Sequence, residues 1–373
     1  MLLMMFSLLG IYWLVGLIVT KLRTEGSRHL VVEEERGFIP AGSQVRVEFS
    51  MTSTKLFPAP YVIVREVLNR QTGESWAFEE SVTPKQSAGR KLVYHTPPLE
   101  RGIYTFEDTQ LVYEDIFGLV EHRRILQVPG SFKVMPRIAH IHRWDILNSG
   151  LQRSGQETYQ ATGRNETTQI NGIRDYVYGD KLSRVHWRAT AKTGVWKSKE
   201  FEHESMPRTF VVLDCDKASY PNAQAFELAV SAAASMLDYG FRNRIHMGLY
   251  TLGQKIRMFT PSLAQGQWQE MMQHLVDVNW TQSEAAANYA AGLLETRSQG
   301  FLPGMLFVFI SANTKESAQD ILLRAKQRQL TPYYVQIGQT HASELMKRLA
   351  LQGIRGASIT SLQELPSAMG GGS

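Results

Sequence analysis

Apolar and polar residues alternate along the first third of the chain. Ser43-Gln44 lead into Val45, Val47 and Phe49, which take turns with Arg46 and Glu48. A period of two with polar partners predicts a half-buried strand. Comparable runs stand at Tyr61–Val67, Lys91–Tyr94, Ile103–Phe106, Gln110–Tyr113, Leu119–Leu126 and Phe132–Val134. Pro58, Pro60, Pro84, Pro97, Pro98 and Pro129 punctuate them. Short strands, frequent turn signals and no long helical period predict an all-β, Ig-like antiparallel sandwich over 22–137. Its charges, such as Glu33-Glu34-Glu35 and Arg123-Arg124, read as solvated faces. Arg101-Gly102-Ile103-Tyr104 and Glu114-Asp115-Ile116-Phe117-Gly118-Leu119 each couple a charge, an aromatic ring and a glycine. Both predict a turn between strands with a buried ring, where Gly102 and Gly118 supply a positive φ.

From 138 to 369 the pattern changes. Apolar strands are predicted at Thr209–Cys215, Ile245–Thr251, Gly304–Ser311 and Pro332–Ile337, with shorter ones at Lys255–Phe259 and Ala357–Thr360. Amphipathic helices are predicted at Ala223–Leu237, closed by Gly240, and at Leu263–Val276, Glu284–Arg297, Thr314–Arg328 and Ala342–Leu351. Strands spaced by helices predict an α/β fold, a doubly wound parallel sheet covered on both faces. No GxGxxG follows the first strand, and there is no Walker loop, HExxH or GxSxG, so the common nucleotide and hydrolase signatures are missing.

Composition adds limits. The chain has 373 residues, 43% hydrophobic and 20% charged, which fits folded domains and excludes a disordered or fibrous chain. One cysteine, Cys215, excludes an internal disulfide and a multi-cysteine metal cage. A net charge of +5 over this length does not by itself imply nucleic acid. Residues 1–20 carry no charge, and about 20 apolar residues suffice to cross a bilayer. No basic residue precedes that run and Ile18-Val19-Thr20 is a poor cleavage site, so 1–21 reads as an uncleaved transmembrane helix. Lys21, Arg23 and Arg28 follow it, which places the soluble domains in the cytoplasm, at the cell membrane. Gly370-Gly371-Gly372-Ser373 reads as an appended linker remnant over 370–373.

In open α/β sheets ligands meet the carboxyl ends of strands. The first strand of this region ends in Asp214-Cys215-Asp216-Lys217-Ala218-Ser219. An acid followed by spaced hydroxyls resembles the Asp-x-Ser-x-Ser site with which a von Willebrand factor type A domain holds Mg²⁺. Here Asp216 stands where the first Ser is expected, Ala218 where the second is, and Ser311 where a later acid is. Asp214, Asp216 and Ser311 therefore form a degenerate candidate metal site, since hard divalent ions need several oxygen ligands. The rival reading has Asp214 bonding loop amides and ordering the strand end.

The densest signal is Ile173–Glu204. Arg174, Lys181, Arg184, Arg188, Lys192, Lys197 and Lys199 stand against Asp175, Asp180, Glu200, Glu202 and Glu204. Tyr176, Tyr178, Trp187, Trp196 and Phe201 interleave with them, and Gly179-Asp180 marks a turn. The matching acids argue against single-stranded nucleic acid. Arg184, Arg188 and Lys192 at helical spacing offer an anion or lipid-headgroup site. The third reading is an internal network. It pairs Arg174, Asp175 and Asp180 with Arg188 and Glu202, and packs the tryptophans on the sheet.

Arg174-Asp175-Tyr176, Gly179-Asp180, Arg184-Val185-His186-Trp187-Arg188, Lys192 and Lys199-Glu200-Phe201-Glu202 together resemble the signature of the domain of unknown function 58 family. Arg101–Tyr104 and Asp115–Leu119 resemble its upstream segment. The resemblance implies a membrane-anchored bacterial protein with a β-sandwich followed by a von Willebrand type A-like domain. It implies partnership with a MoxR-type AAA ATPase and, often, a membrane transglutaminase-like protein. The expected role is a non-catalytic adaptor or scaffold in cell-envelope or complex-assembly work, with no cofactor and no nucleic acid. A divalent-metal-dependent binding module is the first alternative. An enzyme using Cys215, with His186 as base, or the acids is the second, although nothing in the spacing brings Cys215 and His186 together. His140, His142 and His203 lack a third ligand at zinc spacing.

Overall fold

A computed structural model describes residues 4, 6, 7, 10, 11, 24–31, 38–53, 62–82, 90–114, 121–147, 170–178, 180, 182–201, 208–253, 257–280, 301–312, 316–338 and 344–370. The chain divides into two compact units. The first comprises Met1–Ile138, Phe226–Ser235 and Trp268–Trp280, and the second Ala139–Ala225, Met236–Gln267 and Thr281–Ser373. The predicted transmembrane helix at 1–21 lies largely outside the described residues. Among the described residues no helix is long and apolar enough to cross a membrane. The helix predicted at Glu284–Arg297 also lies outside them, as does the Asp115–Gly118 turn.

The first unit is mostly β. Its strands are β1 (Thr24–Val31), β2 (Ile39–Pro40), β3 (Arg46–Ser53), β4 (Val62–Arg70), β5 (Ser75–Val82), β6 (Arg90–His95), β7 (Gly102–Phe106), β8 (Thr109–Glu114), β9 (Glu121–Leu126) and β10 (Gly130–Met135). One sheet has the order β1-β3-β6. The other runs β2-β10-β7-β4-β8-β9, with β5 on the free side of β4. All pairings are antiparallel except that of β2 with β10. Strand β4 alternates buried and half-buried along its length. The period-two reading of that run therefore holds.

The buried face of β4 carries Val62, Val64 and Leu68, but also Glu66 and Arg70. Val62 and Val64 belong to one apolar cluster with Phe49, Met51, Leu92 and Leu111. Leu68 belongs to another with Val47, Tyr104, Phe106 and Phe132. Glu66 stands between them on the same strand. Its partner, Arg28, is in β1 with a side chain only 4% exposed. This corrects the sequence reading of Arg28 as a charge flanking a membrane span. It is bound inside the sandwich, while Lys21 and Arg23 lie outside the described residues. The ring of Tyr104 is buried, as predicted, and stacks on Phe132 at 5.3 Å. Gly102 has φ +153°, and a Cβ there would come within 3.1 Å of Arg70 Nε, so glycine is needed on both counts.

The second unit is α/β. It begins with the antiparallel pair β11 (Ile170–Asp175) and β12 (Lys197–Phe201), joined through α1 (Trp187–Thr193). A sheet follows from β13 (Arg208–Asp214), β14 (His246–Leu252), β15 (Arg257–Ser262), β16 (Leu306–Ser311), β17 (Thr331–Ile337) and β18 (Arg355–Ile359). Its order is β15-β14-β13-β16-β17-β18. All neighbours are parallel except β15, an antiparallel edge strand. Every residue of β16 is buried, the burial on both faces that a parallel sheet demands.

Further helices of the chain are α2 (Ala223–Arg242), α3 (Gln265–Asp277), α4 (Glu316–Gln327), α5 (Glu344–Leu351) and α6 (Leu365–Met369); Phe226–Ser235 of α2 and α3 from Trp268 on belong to the first unit. Ala318, Leu322 and Ala325 of α4 and Leu345 and Leu349 of α5 join Phe210, Phe307, Phe309 and Tyr334 in one apolar cluster on the sheet. Helix α2 does not stop at Gly240; it continues to Arg242. A Cβ on Gly240 would lie 2.1 Å from Met247 Cγ. The glycine therefore permits close approach of helix and strand instead of ending the helix. Gly370 closes α6 by donating to Pro366 O, and 371–373 lie outside the described residues.

Candidate functional site

Two places collect the residues singled out by sequence. The first is the switch point of the sheet. Strand β13 is followed by β14 on one side, and the order then turns back to β16 on the other. The carboxyl ends of β13 and β16 are thus neighbours at the point where such sheets open a crevice. Asp214 ends β13 and Ser311 ends β16, and both are buried.

The cluster is closed on itself. Ser311 Oγ donates to Asp214 Oδ2 at 2.8 Å. The amide of Asp216 donates to Asp214 Oδ1 at 3.0 Å. Ser219 is a further side-chain hydrogen-bond partner of that carboxyl. The phenol of Tyr220 donates to Asp214 O at 2.6 Å, and burial pushes that phenol well up. Asp216 turns to the 3-10 turn Lys217–Ser219, where its carboxylate accepts from the Ala218 amide at 3.2 Å. Among the described residues no group of three or more His, Cys, Asp or Glu side chains could hold a metal. Asp214 and Ser311 are brought together as the sequence reading requires. Their oxygens, however, are engaged in hydrogen bonds with each other and with loop amides, which does not fit an open cage for a hard cation.

Burial pushes the Asp214 carboxyl above its ordinary range, against the opposing pull of its hydrogen bonds. A carboxyl raised in the folded state binds its proton more tightly there than in the unfolded chain. Its contribution to stability is full below the unfolded value of about 3.9 and is lost as pH rises through the folded value. Asp214→Asn keeps an acceptor for the Asp216 amide and offers a donor to Ser311. We expect it to abolish this decline with rising pH. Its melting temperature at pH 7 should equal or exceed that of the wild type, with Mg²⁺ making no difference to either protein. A wild-type melting temperature raised by Mg²⁺, and an Asn variant blind to it, would restore the metal reading.

Cys215 is buried, with Sγ 3.7 Å from Leu213 O. His186 has a different occupation: its Nδ1 accepts from the Ala189 amide at 3.1 Å and caps α1.

The second place is the ribbon β11–α1–β12. Arg174 reaches from β11 with both terminal nitrogens to the two carboxylate oxygens of Asp180, each at 2.8 Å. Asp180 also accepts from the Val177 amide at 3.1 Å, and Tyr176 donates to its carbonyl at 3.0 Å. The Arg174 guanidinium, then the Val177 amide, hold the Asp180 carboxyl below its usual range. Asp175 pairs with Lys197 across the ribbon. Val185 is buried and bridges to Ser198, and the His186 amide donates to Lys197 O at 2.8 Å. Gly194, at φ +70°, ends α1 with its amide on Thr190 O. That left-handed stop suits glycine.

The polar network is therefore internal, as one reading expected, but with other partners. Arg174 pairs with Asp180, and Asp175 pairs with Lys197. Arg188 is exposed on α1, and Gly179 and Glu202 lie outside the described residues. Glu200 is placed in β12 opposite Gly172. Arg184 sits in the 3-10 turn Leu182–Arg184, separated from α1 by Val185 and His186, so only Arg188 and Lys192 share a helix.

The tryptophans do not pack on the sheet. Helix α1 buries none of its residues. Trp187 is 62% exposed and Trp196 47%, and Tyr178 stands fully in solvent. Trp196 contacts Trp187 at 6.0 Å and Tyr176 at 5.4 Å between ring centroids. Val177, Leu182 and Val195 are exposed beside them in the chain. Among the described residues of the ribbon only Val185 and Ser198 are buried; a ribbon this small has no core to take the large rings, and they are left outside.

Residues 172–351 match the model of a family described as "Protein of unknown function DUF58". A curated relative, the uncharacterized protein YeaD of Bacillus subtilis (strain 168), is 22% identical over 258 residues. That match covers 67% of this chain and 62% of the relative, so the chain spans less than two thirds of that protein's length. Among solved structures, proximal thread matrix protein 1 from the mussel byssus is 14% identical, with TM-score 0.32, over 44% of this chain and 46% of that one. The CARDB domain of a Pyrococcus furiosus protein is 14% identical, with TM-score 0.21, over 30% of this chain and 88% of that one. Scores this low carry no argument about fold or function.

Proposed function

We propose that the chain is a membrane-anchored, non-catalytic adaptor whose second unit, a von Willebrand type A-like domain, docks a protein partner through the β11–α1–β12 ribbon. The observation that carries this reading is the set of large apolar side chains held outside a rigid frame. Trp187, Trp196 and Tyr178 are exposed, while the backbone beneath them is fixed by the Arg174–Asp180 fork and by caps at both ends of α1. Tryptophan, tyrosine and arginine dominate binding hot spots. A surface already held in place loses little entropy when a partner seats on it. Contiguous exposed apolar patches on soluble domains mark interaction sites.

The partner suggested by the family resemblance is a MoxR-type AAA ATPase, with a membrane transglutaminase-like protein as a second candidate. The uncharged run at 1–20 supports the anchor. Co-purification in detergent of the full chain with a MoxR-type AAA ATPase, with and without ATP, tests the proposal. Trp187→Ala with Trp196→Ala is expected to cut recovery of the ATPase at least tenfold, about 1.4 kcal/mol or more of binding, without lowering the melting temperature. Undiminished recovery by the double variant would remove the ribbon from the interface. No complex under either condition would remove the ATPase.

A further inference from the structure

The charges on the ribbon say what kind of partner fits it. Two of its acids are committed: Asp180 to Arg174 and Asp175 to Lys197. Arg188, Lys192 and, in β12, Lys199 are cations with no salt bridge among the described residues. Arg188 and Lys192 are both exposed. They are four apart on α1, a spacing that puts their side chains on one stripe about 5–6 Å apart at Cβ. Trp187 and Ala191 form the adjoining stripe on the same helix, with Trp196 against Trp187. A partner that covers these rings also takes the two cations out of water. That is costly unless opposite charge meets them.

We propose that this face receives an acidic segment of another polypeptide, in which aliphatic or aromatic side chains for the Trp187–Trp196 pair are interspersed with carboxylates for Arg188 and Lys192. The inference rests on the docking reading and adds the chemistry of the partner. An anionic membrane surface offers the same charge but fits less well. The side chain of Asp175 remains 72% exposed although paired, so the ribbon does not offer a headgroup layer a purely cationic surface. A polypeptide can place its acids opposite the cations alone.

The test uses the full chain in neutral phosphatidylcholine nanodiscs and a displayed library of random twelve-residue peptides as probe. The peptides enriched are expected to carry Asp or Glu together with Leu, Ile, Val or Phe. Arg188→Glu with Lys192→Glu should weaken the best of them at least tenfold. It should also shift a fresh selection towards Lys- and Arg-bearing peptides. These changes fall on a helix that buries no residue, so the fold is expected to persist, and an unchanged melting temperature verifies this. Enriched peptides that need Trp187 and Trp196 but are basic or uncharged would overturn the acidic partner and leave the docking reading standing. Peptides indifferent to Trp187→Ala with Trp196→Ala, or no enrichment at all, would overturn both. A third arm measures sedimentation of the chain, in detergent at low concentration, with phosphatidylglycerol vesicles against phosphatidylcholine vesicles. Arg188- and Lys192-dependent binding to the anionic vesicles alone, without acidic peptides from the library, would assign the face to a membrane instead.

Discussion

Glu66→Ala is expected to destabilise the first unit by about 3–5 kcal/mol, the range measured when one member of a buried ion pair is removed. Glu66 is fully buried on β4, and its carboxylate holds together groups from both sheets of the sandwich. Arg28 of β1 donates to Oε1 from Nε at 3.2 Å and from Nη2 at 2.7 Å. Thr109 of β8 donates to the same oxygen at 2.9 Å. Tyr94 of β6 donates to Oε2 at 2.7 Å. Arg28 is further tied to Val128 O at 2.7 Å, and its guanidinium lies 3.9 Å from the centre of the Phe106 ring.

Without the carboxylate, that guanidinium is left in the core with no counter-charge. Glu66→Gln keeps the volume and one acceptor, so a smaller loss is expected. Arg28→Met combined with Glu66→Leu removes both charges and should recover most of the loss, because well-packed apolar pairs replace buried ion pairs at little cost. Urea denaturation of the wild type, Arg28→Met, Glu66→Leu and the double variant, followed by tryptophan fluorescence, gives the coupling energy of the pair. A loss under about 1 kcal/mol for Glu66→Ala, the range of exposed pairs, would mean that water reaches Arg28.

The same network shows what the sequence could and could not yield. Alternation located β3, β4, β6, β7, β8, β9 and β10 because a half-buried strand imposes period two on its residues. It missed the two-residue β2, and also β1 and β5, whose sequences TEGSRHLV and SWAFEESV mix polar residues into the pattern. In β1 Arg28 shares the inward face with Leu30, and no hydropathy pattern marks an arginine as inward. The parallel strands were legible for the opposite reason: Phe210–Leu213 and Leu306–Ile310 are buried on both faces and read as unbroken apolar runs.

At the candidate site, the neighbourhood of Asp214 and Ser311 followed from their places at the ends of two strands. The ribbon did not follow in the same way. The helical spacing of Arg184, Arg188 and Lys192 predicted that the three share one helix. The chain instead makes a 3-10 turn, a bridge at Val185 and a new start capped by His186. The exposed tryptophans were hidden by the ordinary expectation that large rings go inside. The available signal was that Tyr178, Leu182, Trp187, Val195 and Trp196 obey neither period.

Arg101→Ala is expected to cost a similar ~3–5 kcal/mol, by a different route. The sequence reading gave the Arg101–Tyr104 stretch a turn and a buried ring, and overlooked its arginine. Arg101 is 3% exposed. Within the first unit its Nη1 donates to the carbonyls of Leu275, Val276 and Val278, at 2.6, 2.9 and 2.7 Å. Leu275 and Val276 belong to the last turn of α3, whose carbonyls have no partner within the helix and which favours a cation. Its other side forms a fork with Glu227, Nε to Oε2 at 3.0 Å and Nη2 to Oε1 at 2.7 Å. One planar group thus satisfies three carbonyls and a carboxylate.

An ammonium on a flexible stem cannot span both sets of acceptors, so Arg101→Lys should recover little of the loss. Glu227→Gln should be milder, because Glu227 is 31% exposed and water can replace part of what it loses. Hydrogen exchange separates this role from general loosening. Amides of 272–278 should exchange at least tenfold faster in both Arg101 variants, a change worth about 1.4 kcal/mol in opening free energy, while those of β16 stay protected. Unchanged protection at 272–278 would show that the helix end is held by something other than Arg101.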